Sequence, residues 1–234
     1  MWALEIRLSL LMSKNIPSIF IMIKKDLLLE FRGKDILVSV PIFGFLLIVL
    51  FNFALDVAPN ISNHVAPGIL WVSFAFAGIL TMNRAFVREL EQGGLEGLLL
   101  SPISRDAIFI SKVLSSCLFM FVVEIALLLA LTIMMNIWMF SIVLVVTVLL
   151  TTLGFTTLGT LFSAIAVQTR SREVMLPILF FPMVIPILIA AVEVTSEVIA
   201  GQFIGIGKWL PFIIIFDALF LLICPWLFGT VMQE

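Results

Sequence analysis

Val113-Leu114-Ser115-Ser116-Cys117-Leu118-Phe119-Met120-Phe121-Val122-Val123-Glu124-Ile125-Ala126-Leu127-Leu128-Leu129-Ala130-Leu131-Thr132-Ile133-Met134-Met135 carries one ionisable carboxyl in an otherwise uncharged run. A helix rises about 1.5 Å per residue and roughly 20 apolar residues cross the hydrocarbon of a bilayer, so this stretch is long enough to span a membrane. It lacks the period-2 alternation of a barrel strand.

Five further stretches have the same character, which places spans at 36–53, 65–82, 113–135, 139–166, 174–191 and 209–232. Hydrophobic residues make up 62% of the chain and charged residues 12%, about half the charged share of a soluble domain. The expectation is an all-α integral membrane protein of six transmembrane helices. Residues 1–35 form an N-terminal segment and 36–234 the transmembrane domain, with 83–112 linking spans 2 and 3.

Basic residues set the orientation. Arg7, Lys14, Lys24, Lys25, Arg32 and Lys34 precede span 1, Arg84, Arg88, Arg105 and Lys112 follow span 2, and Arg170 and Arg172 follow span 4. Lys208 alone falls on the opposite side, a bias that puts both termini in the cytoplasm. Trp71, Trp138 and Trp209 then lie at the outer interface and Trp226 at the inner one, as an aromatic belt.

Residues 1–21 are interrupted by Glu5, Arg7, Lys14 and Pro17 and lack a clear signal-peptide cleavage site. Met12 and Met22 are alternative starts. In 23–32, Leu27, Leu28 and Phe31 share a face among charged neighbours, which predicts an amphipathic helix lying along the inner leaflet.

Several chemistries are missing. Gly205-Ile206-Gly207-Lys208 has Gln202 where a P-loop needs its first glycine and Trp209 where it needs Ser or Thr. Cys117 and Cys224 lie inside spans without metal-ligand spacing and are expected to pack. His64 stands alone at the outer mouth of span 2, an interfacial residue or a ligand contact. With a net charge of -2 and no basic stripe, nucleic acid is not an expected partner, and no catalytic or metal-ligating set emerges.

Glu124 and Asp217 are ionisable residues within spans. An unpaired charge at mid-membrane costs about 2.5 to 3.5 kcal/mol on insertion scales, and no predicted span supplies a Lys or Arg. If spans 3 and 4 form a hairpin across Asn136, Thr151 and Thr152 reach the depth of Glu124. Thr152, Thr156, Thr160 and Ala164 form a small-residue face for close helix approach. Glu124 is then helix-pair glue, part of a translocation path, or a contact to another subunit. Pro177, Pro182 and Pro186 should bend or break span 5, as structural kinks or as a gating hinge. Residues 193–208 are expected to form short helices at the outer interface.

The segment Glu89-Leu90-Glu91-Gln92-Gly93-Gly94-Leu95-Glu96-Gly97-Leu98-Leu99-Leu100-Ser101-Pro102-Ile103-Ser104-Arg105 is acidic, glycine-rich and amphipathic. Its glycines permit tight turns. Leu95, Leu98 and Leu99 offer an apolar ridge flanked by Glu91 and Glu96 for basic residues on a partner.

This segment, the six spans and the amphipathic lead-in together resemble the membrane subunits of type 2 ABC exporters. Within that group the compact size, the small outer loops and Phe181-Pro182-x-x-x-Pro186 resemble the haem exporter B (CcmB) family of cytochrome c maturation. The resemblance implies a non-catalytic subunit of the bacterial inner membrane, present in two copies. It would dock a cytoplasmic CcmA-like ATPase through Glu89, Glu91, Gly93, Gly94, Leu95, Glu96, Leu98, Leu99, Pro102 and Arg105, beside CcmC-like and CcmD-like subunits. The partner would consume the ATP. Haem would be substrate or be held by a partner, because His64 is the only histidine, tyrosine is absent, and Met134, Met135 and Met139 are expected to pack. A lipid or drug exporter, or a mechanical assembly subunit through which nothing crosses, are the alternatives.

Overall fold

The computed structural model describes residues 19–29, 34–55, 62–83, 103–137, 141–167, 169, 172–201 and 205–231. Among them the regular structure is helical: α1 (19–29), α2 (Lys34–Ala54), α3 (Ser62–Met82), α4 (Arg105–Met135), α5 (Ile142–Val167), α6 (Arg172–Ala200) and α7 (Ile206–Val231). The last five are long and apolar enough to cross a membrane, and α2 contributes the shorter apolar stretch Val38–Ala54. This is a multi-pass, all-α membrane protein.

Helix ends explain where the spans depart from the sequence expectation. α4 begins at Arg105, well before 113, because the Ser104 hydroxyl accepts a hydrogen bond from the Ala107 amide at 3.3 Å and Asp106 puts an acid in the first turn. It stops where Asn136 adopts the left-handed conformation (φ 53°, ψ 41°), which turns the chain back into α5.

α6 contains Pro177, Pro182 and Pro186 yet stays helical from Arg172 to Ala200, so it is not broken. Pro182 and Pro186 are exposed on the face turned away from the bundle, where a missing amide donor disturbs no helix contact. The helix runs on through 193–200, which therefore forms its last turns rather than separate short helices. Gly201, at φ 66°, ends it.

α5 is the central element, packed against α4, α6 and α7, while α2 covers α3 and α4. A column of rings runs through the centre: Trp71 to Phe74 at 5.5 Å, Phe74 to Phe155 at 4.9 Å and Phe155 to Phe180 at 4.7 Å. Gly78 makes room for it, since a Cβ there would overlap the Phe155 ring. Leu46, Leu50, Phe53, Ile133, Ile215 and Leu222 point outward, as lipid-facing side chains do.

One placement corrects the sequence reading. Trp71 is 1% exposed and donates to the Thr195 hydroxyl at 3.0 Å, so it is a core residue and not part of an interfacial belt. Its indole N–H has a partner inside the bundle, which removes its need for the wet interface. Trp226 is exposed, Trp209 is half-buried, and Trp138 lies outside the described residues. In α1, Met22 and Asp26 are buried against the bundle, Leu28 is exposed and Leu27 half-buried, and Phe31 lies outside the described residues.

Candidate functional site

Glu124 on α4 is fully buried, and Thr152 on α5 donates a hydrogen bond to its Oε2 at 2.9 Å. The hairpin turn at Asn136 sets these residues at one depth. Thr156, one turn further along α5, donates back to the Thr152 carbonyl at 2.8 Å and interacts with the Cys117 thiol of α4. Asp217 enters from α7 and is 4% exposed. Its carboxyl lies against α5 at Gly154, where a Cβ would overlap Oδ1. Among the described residues, neither Asp217 oxygen nor Glu124 Oε1 has a hydrogen-bond partner.

Beside Glu124 a cavity of about 240 Å³ opens between α4 and α5, walled by Phe121, Ile125, Leu128, Leu144, Val145 and Val148. Its surface is apolar. Among the described residues no three His, Cys, Asp or Glu converge as a metal site.

A second polar region sits at the base of α4. Lys112 is 5% exposed and pairs with Asp26 of α1 at 3.2 Å, while Lys25 reaches Asp26 at 3.1 Å from the exposed side. The Ser111 hydroxyl donates to the Met22 sulfur at 3.7 Å. Arg105 Nη1 donates to the Gly229 carbonyl of α7 at 2.8 Å. The start of α4, which directly follows the acidic glycine-rich segment, therefore grips both α1 and α7. At the far end, Glu197 Oε2 accepts from the amides of Gly205 and Ile206 at 2.7 and 2.8 Å and caps α7.

The structure thus brings Glu124 and Thr152 into contact and sets Asp217 against α5 at Gly154, two residues further along that helix. Arg105 opens α4. Glu89, Glu91, Gly93, Gly94, Leu95, Glu96, Leu98, Leu99 and Pro102 lie outside the described residues. His64 is exposed, Met134 and Met135 are half-buried, and Met139 lies outside the described residues. Sequence reasoning missed Lys112 with Asp26, Cys117 with Thr156, and Glu197. Only the last had a signal, an acid within ten residues of a helix N-terminus.

Comparison with known proteins supplies the rest. The family described as "CcmB protein" matches residues 18–233. The heme exporter protein B of Haemophilus influenzae is 31% identical over 177 residues, 74% of this chain and 78% of that protein. Its counterpart in Rhodobacter capsulatus is 29% identical over 161 residues, 66% and 72% of the two chains. That of Bradyrhizobium diazoefficiens is 27% identical over 182 residues, 77% and 82%.

Proposed function

From its match over residues 18–233, the chain belongs to the CcmB family, and we propose that it is the membrane subunit of an ABC-type haem exporter in cytochrome c maturation. That match is the observation that carries the reading. The protein sits in a bacterial inner membrane with both termini in the cytoplasm. Residues 1–35 form the N-terminal segment and 36–234 the transmembrane domain. A separate CcmA-like ATPase docks on the 83–112 segment, and two copies assemble with CcmC-like and CcmD-like subunits.

Force applied to that segment enters α4 at Arg105. It passes to α7 through the Arg105 bond to the Gly229 carbonyl and to α1 through the Lys112–Asp26 pair. A buried ion pair resists being pulled apart because each charge left alone loses both its partner and water. Movement of the segment is therefore shared among three helices rather than absorbed by one.

One observation favours a reading in which haem iron and propionates are held by a partner subunit. The cavity beside Glu124, about 240 Å³, falls short of the roughly 300 Å³ at which ligand pockets begin. Its one ionisable lining residue is Glu124, and no Lys, Arg or His lines it to pair with a propionate. The subunit then converts ATP-driven motion into release of a haem complex next to it. Purifying the assembled complex and assigning haem absorbance subunit by subunit tests this. Haem on a partner, with ATP-dependent release that requires this chain, supports the reading. A complex assembled without any ATPase, or showing no dependence of haem release on this chain, contradicts it.

A further inference from the structure

Asp217 is 4% exposed, Glu124 is 0% exposed, and three of their four carboxyl oxygens lack a hydrogen-bond partner among the described residues. Both face the same stretch of α5. Glu124 is held by the Thr152 hydroxyl, and Asp217 is seated where Gly154 leaves out a side chain. Cys117, two turns before Glu124 on α4, is within electrostatic reach of both.

The ionisable groups around this junction are few. α4 supplies Cys117 and Glu124, with Arg105, Asp106 and Lys112 at its base. α5 carries no ionisable residue from Ile142 to Val167. α6 brings Ile187 against Gly154 and keeps Arg172, Glu173, Glu193 and Glu197 near its ends. α7 itself adds Cys224 and, in its first turn, Lys208. α2 and α3, which flank α4, carry Lys34, Asp35 and His64 only in their first turns. Among the described residues no cation reaches the junction.

Two acids without a cation, inside an apolar bundle, cannot both be carried as anions at the cost of burying naked charge. As neutral acids each becomes a donor as well as an acceptor. We infer that the junction of α4, α5 and α7 is an intramembrane proton-binding site in which Asp217 and Glu124 each hold a proton. A shift of α7 against α5 would open Asp217 to water and release its proton, which gives the bundle a proton step alongside any ATP-driven motion. The inference is independent of what the complex handles.

A hydrophobic carbodiimide tests it on the full-length protein in lipid membranes. The neutral acid adds across the carbodiimide: its proton passes to one nitrogen, its oxygen bonds to the central carbon, and the O-acylisourea rearranges to a stable N-acylurea with no leaving group. Peptide mass mapping after treatment with dicyclohexylcarbodiimide is expected to find the adduct on Asp217 and Glu124. The adduct should fall as pH is raised, because only the protonated acid adds across the reagent. Asp217→Asn removes one adduct, Glu124→Gln the other, and the double variant both. A charged, water-soluble carbodiimide should leave both residues unmodified.

Infrared spectroscopy of the same samples gives a second reading that does not require the reagent to reach the acids. Wild type should show a carboxylic-acid C=O band that shifts in D₂O and is lost in the double variant. Absence of both adduct and band in wild type overturns the proposal. So does equal labelling by the charged reagent, or an adduct at these residues that ignores pH.

Discussion

The two polar regions of α4 solve opposite problems. At its base, Lys112 and Asp26 are both buried and opposite in charge, and Arg105 reaches a backbone carbonyl of α7. At mid-helix, Glu124 has one hydroxyl donor and Asp217 has no partner among the described residues. Formal charge survives burial where a counter-charge comes with it, and where none comes the group is held as a polar but uncharged one. The base is suited to transmitting force and the middle to exchanging a proton, and the difference follows from which helices deliver which residues.

The largest expected effect breaks the base. Lys112→Met leaves Asp26 with Lys25 as its ion-pair partner among the described residues and should destabilise the protein by about 3 kcal/mol, the low end for a broken buried pair. The Lys112→Met, Asp26→Leu double variant should recover most of that loss, measured by thermal unfolding in detergent. An unchanged melting temperature in the single variant would mean the pair bears no weight.

A smaller effect sharpens the middle. Gly154→Leu drives a side chain into the Asp217 carboxyl and should cost about 1 to 3 kcal/mol as overpacking. In the same assay Gly68→Leu, where a Cβ meets nothing within 4 Å, should change little. Equal losses at both glycines would remove the argument that Asp217 is seated against α5.

The smallest effect is Glu124→Gln. A glutamine keeps size and hydrogen bonding, and hydrogen bonds in membranes are worth about 0.6 to 2 kcal/mol, so complex assembly should stay near wild type. Cytochrome c maturation should also persist if Glu124 only joins α4 to α5. Normal assembly with lost holocytochrome c would instead assign its proton to the working cycle.

Much of this comparison was legible in the sequence. Span length gave six membrane helices, and the Asn136 turn put Thr152 opposite Glu124 because both lie at similar distances from it. Helix bounds were less legible. Ser104 and Asp106 start α4 in a polar stretch that hydropathy alone assigns to a loop, and the last turns of α6 contain Glu193 and Glu197, which looked like an outer loop. Long-range pairing left no trace: Asp26 and Lys112 belong to different helices, and nothing in either neighbourhood names the other. Trp71 misled because belt tryptophans and core tryptophans look alike until a partner such as Thr195 is placed. For Asp217 the place inside a span was readable, but neither its burial nor the glycine that seats it was.

The central claim is that this chain is a haem-exporter membrane subunit driven through the segment ahead of α4. Glu96→Lys together with Leu98→Asp reverses a charge and removes an apolar contact on that segment, leaving every described helix intact. The most direct measurement is co-purification of the CcmA-like ATPase with this double variant, alongside holocytochrome c yield. The account predicts normal membrane insertion, loss of the ATPase from the complex and loss of holocytochrome c. Undiminished ATPase capture with normal maturation would contradict it.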